Sequence, residues 1–364
     1  MRKKILILAN LDIGLYKFRK ELIQELQKEG GEVYLSLPYG EGNYVERFKE
    51  KGCQFFNTCV DRRGMNPVKD GKLFLRYWNM MRKVRPDQVI TYTIKPNIYG
   101  GMAAWLTGTP YVVNITGLGT AFLQDGMMRK IVTLMYRLAC RKASVVFFEN
   151  EENRQTFLKY KIVKEEQTFR LNGAGVNLED YRFTAYPEEK EKTRFLFIGR
   201  VMKEKGVDEL FSAFEKLKSI YPQAELDVVG PYEDNYRELV EKLEKKGVIR
   251  YCGYQEDVRP FIGNSHCFVL PSYHEGMANT LLEAGAMGRP LIASDVAGCR
   301  EAIEDGKNGF LIKPKHAEHL RGMLEKFLLM PYQEKQKMGE FSRKKVAKEF
   351  DKRFVVEETM MRLR

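Results

Sequence analysis

Short apolar runs alternate along this chain with longer stretches in which apolar residues recur every three or four positions. The runs at 5–9, 32–37, 88–92, 111–115 and 145–149 read as strands, and the segments 15–28, 43–51, 69–84, 98–106 and 127–141 carry helical spacing. A polar, proline-containing stretch at 185–193 interrupts the pattern, which then restarts. Strands are predicted at 195–198, 225–229, 248–251, 267–270, 290–294 and 309–312, and helices at 208–219, 236–246, 277–287 and 317–329. Two more helices are predicted at 332–348 and 353–363. Strands that alternate with helices need crossover connections, so the sheets are mainly parallel and the fold class is α/β. The chain has 364 residues, more than one core usually serves, which gives two Rossmann-like domains. Ligands of such sheets bind outside the carboxyl ends of the strands, and two such domains hold them in the cleft they face across.

Composition narrows the class. Apolar residues make up 44% of the chain, enough for packed cores. The six cysteines, Cys53, Cys59, Cys140, Cys252, Cys267 and Cys299, form no CxxC pair, and the four histidines do not group. Neither structural zinc nor a disulfide framework is expected, and a reducing compartment is the simpler reading. Met1-Arg2-Lys3-Lys4 followed by five apolar residues is too short for a signal peptide, and no stretch is long enough for a transmembrane helix. The net charge of +12 is uneven: residues 1–170 hold 29 Lys and Arg against 17 Asp and Glu, whereas residues 171–364 hold 32 of each. The first half therefore suits an anionic partner, either a membrane surface or a nucleic acid. No arginine-rich tail, zinc finger or recognition pattern accompanies that charge, and nucleic acid is not expected.

The densest chemistry lies at 271–283. A predicted strand runs into Pro271-Ser272-Tyr273-His274-Glu275-Gly276, and a second acid, Glu283, follows eight residues after the first. With a helix over 277–287, Glu275 sits in the loop and Glu283 about two turns inside the helix. Helix-start amides suit a phosphate and the acids suit hydroxyl groups. A sugar nucleotide carries both.

Five elements in order extend this picture: Phe197-Ile198-Gly199-Arg200 with Lys205-Gly206-Val207-Asp208; Asp227-Val228-Val229-Gly230; Gly253-Tyr254-Gln255-Glu256-Asp257; the Glu275 segment with Glu283-Ala284; and Gly288-Arg289-Pro290 with Asp295, Gly298 and Glu301. Together they resemble the donor half of family 4 retaining glycosyltransferases of the GT-B fold. The first half resembles the branch that extends bacterial polyprenyl-diphosphate-linked oligosaccharides for capsule, O-antigen or glycoprotein synthesis. That likeness rests on Asn10-Leu11-Asp12 with Tyr16-Lys17-Phe18-Arg19, Arg63-Gly64-Met65-Asn66-Pro67, Tyr92-Thr93-Ile94-Lys95-Pro96-Asn97-Ile98-Tyr99-Gly100 and Asn114-Ile115-Thr116-Gly117-Leu118-Gly119.

The resemblance implies a division of labour. Residues 1–185 form the acceptor-binding domain with a basic, membrane-facing surface, 186–335 the nucleotide-sugar-binding domain, and 336–364 a helical segment whose last helix crosses back to the first domain. Glu275, Arg200 and Lys205 are the catalytic group: the cations stabilise the departing diphosphate, and the acid faces the transferred sugar. Gly14, Gly199, Pro231, Tyr254, His274, Gly276, Met277, Ala278, Asn279, Thr280 and Glu283 join them on the donor, with Glu283 on the ribose and Gly14 reaching the diphosphate across the cleft. Asp12, Tyr16, Lys17, Arg19, Arg63, Lys95, Asn97, Asn114, Thr116, Gly117 and Gly119 are assigned to the acceptor. Many relatives place a histidine after the fourth strand; here none precedes His266, and the acceptor's base is left open.

The implied reaction moves a hexose or N-acetylhexosamine from a UDP-sugar to a polyprenyl-diphosphate-linked saccharide, with retention and with no metal or other cofactor. A soluble saccharide or small-molecule acceptor is one alternative, and a non-enzymatic basic nucleic-acid-binding protein is the other. Segments 69–85 and 122–141 mix aromatic, methionine and leucine residues with cations, which fits helices packed on the core and also helices lying on an anionic inner leaflet. The expected location is the cytoplasmic face of the bacterial plasma membrane, held peripherally.

Overall fold

The computed structural model describes residues 2–40, 42–61, 64, 66–119, 122, 126–188 and 192–363. They form two compact units, Met1–Ala174 with Arg353–Arg364, and Gly175–Lys352.

The first unit is built on seven parallel strands: β1 (Lys4–Leu8), β2 (Glu32–Leu37), β3 (Gln54–Asn57), β4 (Gln88–Tyr92), β5 (Tyr111–Ile115), β6 (Val145–Phe148) and β7 (Thr168–Arg170). Their order is β3-β2-β1-β4-β5-β6-β7, with Leu6 opposite Tyr34 on one side and Val89 on the other. The continuous apolar runs are explained by burial on both faces. Leu6 and Leu8 enter one cluster with Tyr77, Val113 and Phe148, while Ile5 and Ile7 enter another with Leu22, Val33 and Phe147. Val355, Met360 and Leu363 of the last helix, Lys352–Leu363, join that second cluster, and Lys3 Nζ donates to the Leu363 carbonyl at 3.1 Å. The C-terminal helix thus returns to the first unit, as expected.

The second unit has six parallel strands: β8 (Thr193–Ile198), β9 (Ala224–Val229), β10 (Arg250–Gly253), β11 (Cys267–Leu270), β12 (Leu291–Ser294) and β13 (Gly309–Ile312), in the order β10-β9-β8-β11-β12-β13. Helix Tyr332–Glu349 belongs to this unit, with Met338 and Val346 in its core.

Several elements depart from the sequence pattern. β3 and β7 are edge strands of four and three residues with half-covered side chains, so they carry no apolar run. β10 starts two residues later than expected, because Val248 closes the preceding helix through its amide to the Leu243 carbonyl and pairing begins at Arg250 with Asp227. The first helix is Asp12–Lys28, so Gly14 lies inside its first turn instead of in the loop before it. The segment expected as a helix from residue 98 begins at Pro96 with a π-helical turn, Pro96–Gly100, before Gly101–Thr107 continues in α-geometry.

Candidate active site

In both sheets the strand order reverses beside the first strand, between β1 and β4 and between β8 and β11. At such a switch point the flanking loops diverge and leave room for a ligand.

In the second unit those two loops carry the predicted catalytic group. Lys205 Nζ forms an ion pair with Glu275 Oε1, and Ser272 Oγ donates to the same oxygen at 2.7 Å. The backbone makes this meeting compulsory. The turn Lys203–Lys205 ends at Gly206 with φ +70°, where a Cβ would stand 2.0 Å from the Pro271 carbonyl oxygen. The Tyr273 amide also donates to the Glu204 carbonyl at 2.9 Å. Arg200, partly exposed, pairs with Glu233 at 3.3 Å on the loop after β9. An arriving diphosphate can take Glu233's place on the guanidinium fork.

The loop after β12 supports Glu275 from behind. The Gly298 carbonyl accepts from the Ala278 amide at 2.8 Å, and Glu301 accepts from the Gly298 amide at 2.7 Å. A side chain on Gly298 would come 2.6 Å from the Gly276 oxygen and 2.9 Å from the Glu275 Cβ. Burial pushes the Cys299 thiol well up, and the Glu275 charge adds to this, so the thiol stays protonated beside the acid.

Helix Asn279–Ala286 begins later than expected, which puts Glu283 about one turn inside it and not two. Tyr181 lies against Glu283: burial, then the carboxylate charge and hydrogen bond, raise its hydroxyl pKa. Asn279 does not cap the helix; Ala278 holds that position, and Asn279 Oδ1 is buried without a hydrogen-bond partner. The Ala278 amide is engaged by Gly298, so it does not serve as an outward donor here, and Met277 and Ala278 are core residues. Gly199, His274, Gly276 and Thr280 are half-buried, while Pro231 and Tyr254 are exposed on the loops after β9 and β10.

The acceptor assignments divide in two. Arg19 is buried, paired with Glu149 at 2.6 Å and stacked 5.0 Å over Tyr92. Thr91 Oγ1 donates to Asn97 Oδ1 at 2.7 Å, Asn97 Nδ2 to the Asn114 carbonyl at 2.8 Å, and Asn114 Nδ2 to the Thr91 carbonyl at 3.1 Å. Arg19, Asn97 and Asn114 are thus buried and engaged within the first unit: Arg19 ties the first helix to Tyr92 of β4 and to Glu149 after β6, and the two asparagines hold the loop after β4 against β5. Lys95 is paired with Asp70 at 2.6 Å, and Tyr16 packs on Tyr44 and Phe48. Asp12 is buried at the start of the first helix. Lys17, Thr116, Gly117 and Gly119 are half-buried, and Gly119, at φ +70°, holds a left-handed backbone conformation that favours glycine. Arg63 lies outside the described residues.

Ser272, Cys299 and Tyr181 escaped sequence reasoning. Each is a single polar residue without a period, and only Ser272 had a signal, its place between Pro271 and Glu275. Among the described residues no group of three or more His, Cys, Asp or Glu side chains could hold a metal ion, and no helix is long and apolar enough to cross a membrane.

The two amphipathic helices differ. Pro67–Val84 buries Leu73, Tyr77, Met80, Met81 and Val84. Met127–Ala139 buries only Tyr136 and Ala139, and leaves Met127 78%, Leu134 53% and Ile131 45% exposed.

The family model for group 1 glycosyl transferases matches residues 181–345, and the glycosyl transferase 4-like model matches residues 4–150. The chain belongs to these glycosyltransferases, and its fold is GT-B. It is 28% identical, over 92% of its length and 91% of the relative's, to the N,N'-diacetylbacillosaminyl-diphospho-undecaprenol alpha-1,3-N-acetylgalactosaminyltransferase of Campylobacter jejuni. It is 26% identical, over 69% of its length and 68% of the relative's, to the UDP-Gal:alpha-D-GlcNAc-diphosphoundecaprenol alpha-1,3-galactosyltransferase of Escherichia coli. Anabaena HepE in complex with UDP and glucose has the same fold, with a TM-score of 0.79 at 16% identity over 100% of this chain and 99% of HepE.

Proposed function

We propose that this glycosyltransferase moves a hexose or N-acetylhexosamine from a UDP-sugar to a polyprenyl-diphosphate-linked saccharide, with retention of configuration and without an essential metal. The observation that carries the reading is the meeting of Lys205 with Glu275 at the β8/β11 switch point, with Arg200 on the same strand-end loop. Arg200 and Lys205 hold the diphosphate and neutralise the charge that builds on it as the sugar leaves, the task a metal performs in other sites. Glu275 then faces the sugar and orients its hydroxyls. The anomeric carbon exchanges its bond to the diphosphate oxygen for one to an acceptor hydroxyl oxygen, and the hydroxyl proton leaves with the UDP. Glu283 accepts from the ribose hydroxyls in place of Tyr181.

The names of the Campylobacter and Escherichia coli relatives support a lipid diphosphate acceptor and a UDP donor. The exposed apolar side of helix Met127–Ala139, with Lys130 and Arg137 beside it, supports peripheral attachment to the anionic cytoplasmic face of a bacterial plasma membrane. The test is transfer of radiolabel from a panel of UDP- and GDP-sugars into lipid extract, with polyprenyl-diphosphate saccharides as acceptors and a chelator present. One donor giving chelator-resistant, lipid-extractable product is the expected result. Transfer to free saccharides alone would replace the lipid acceptor with a soluble one.

A further inference from the structure

Lys205 cannot hold Glu275 in the reacting state. Under the function proposed above the lysine turns to the diphosphate, so the ion pair that joins the two loops in the free protein opens when the acid must face the sugar. Ser272 fixes the carboxylate within its own loop, not the loop on its neighbours. Other contacts have to keep that loop in place, because a displacement of about 1 Å at a reacting group can slow a reaction about 100-fold.

Tyr273, two residues before Glu275, makes such contacts on three sides. Its amide donates at 2.9 Å to the carbonyl of Glu204, the residue before Lys205. Its hydroxyl donates to the carboxylate of Glu209, with Oε1 at 3.0 Å and Oε2 at 2.9 Å. Glu209 lies in the first turn of helix Val207–Ile220, into which the Lys203–Lys205 turn leads through Gly206. Lys315, on the loop after β13, places its ammonium 4.9 Å from the centre of the Tyr273 ring. The Lys315 backbone is left-handed, with φ +58°, a conformation uncommon outside glycine. Burial, and then the hydrogen bond to Glu209, raise the Tyr273 hydroxyl pKa, so the group stays a donor at neutral pH. None of these partners is a donor-binding side chain, and the contacts survive the opening of the Lys205–Glu275 pair.

We infer that Tyr273 is the positioning residue of Glu275: its hydroxyl, held by Glu209, fastens the acid's loop to the helix that follows Lys205 while the ion pair is open. The inference deepens the function proposed above and rests on it. Tyr273 acts through Glu275 and not on the substrates.

The experiment compares full-length variants in two assays. One is lipid-extractable transfer from the UDP-sugar that the donor panel selects. The other is hydrogen exchange of the amides of 272–276 with and without saturating UDP. Tyr273→Phe keeps the ring and its lysine contact and removes only the hydroxyl. Its kcat should fall about tenfold with UDP affinity unchanged. Glu209→Ala should match it, and the double variant should be no slower than either single. Glu209→Gln, which keeps an acceptor, should recover most of the rate. In Tyr273→Phe the 272–276 amides should lose protection with UDP bound and keep it in the free protein, where Lys205 still holds Glu275. A merely structural tyrosine would loosen both states alike and lower Tm without a fall in kcat. Wild-type kcat in Tyr273→Phe, additive losses in the double variant, or equal loosening of the free and UDP-bound forms would overturn the inference. Glu275→Ala, run alongside, separates the two readings. Normal turnover by that variant removes the acid from the site, and the inference with it; slow turnover beside a normal Tyr273→Phe overturns the role of Tyr273 alone.

Discussion

Lys205 and Glu275 are ion-paired across two loops that are 70 residues apart in sequence, and their side chains are only 19% and 13% exposed. In the free protein each screens the other. With donor bound, the lysine can turn to phosphate and the acid to the sugar. Removal of either side chain therefore acts twice. Lys205→Ala and Glu275→Ala should each lower kcat about 100–1,000-fold, the scale of one aimed electrostatic group. Each should also lower stability by about 1–3 kcal/mol because its half-buried partner loses a charge-assisted hydrogen bond. The double variant should lose less stability than the sum of the two singles. Transfer assays and a denaturant double-mutant cycle check this. Normal product formation by Glu275→Ala would remove the acid from the site.

Gly14 separates fold from function. It lies in a helical turn, and a Cβ there would meet only Leu11 side-chain atoms at 3.6–4.0 Å, which is ordinary contact. Gly14→Ala should therefore stabilise the helix by about 0.5–1 kcal/mol. If the backbone there approaches the donor diphosphate, the same methyl should lower activity at least about tenfold, since small misplacements at reacting groups have large effects. A rise in Tm with full activity would leave Gly14 as a turn residue only.

Much of this was legible because it repeats. The apolar runs of β1, β4 and β5 report burial on both faces, and their alternation with helices dictates the parallel order. β3, read as Gln54-Phe55-Phe56-Asn57, lies at an edge and has no such signature. The placement of Glu275 on the loop after β11 and of Glu283 on the next helix was legible because their spacing is local. The site was opaque where meaning depends on a distant partner. Arg19 reads as a free cation on a helix, yet it is bound to Glu149, 130 residues on. Thr93, just after β4, is one polar residue among many until its φ of +72° is seen.

Arg289, in the Gly288-Arg289-Pro290 element, is fully buried and, among the described residues, has no carboxylate as a hydrogen-bond partner. Its guanidinium donates to the carbonyls of Ile262, Thr184, Gly288, Ala185 and Gly263, and so ties residues 184–185 to the end of helix Arg259–Gly263. Burial pushes its pKa down to about 10, which still leaves it charged at neutral pH. Arg289→Lys offers three donors to five carbonyls. It should lower stability by about 2–4 kcal/mol, since at least two buried acceptors lose partners. Chemical denaturation measures this, and a change below 1 kcal/mol would mean that water replaces the lost donors.

Helix Met127–Ala139 gives the sharpest test of membrane attachment. Met127, Ile131 and Leu134 share one face by helical spacing, and Lys130 and Arg137 lie beside that face. An apolar ridge with basic flanks binds by burying its side chains among acyl chains while the cations meet anionic headgroups. Ile131→Glu with Leu134→Glu should abolish flotation with vesicles rich in anionic lipid, and the wild type should bind them less as salt is raised. Both positions are exposed, so Tm and UDP binding should not change. Transfer to a short-chain acceptor in detergent should persist, while transfer in vesicles should fall. Equal flotation of the variant would move the attachment to another basic surface of the first unit.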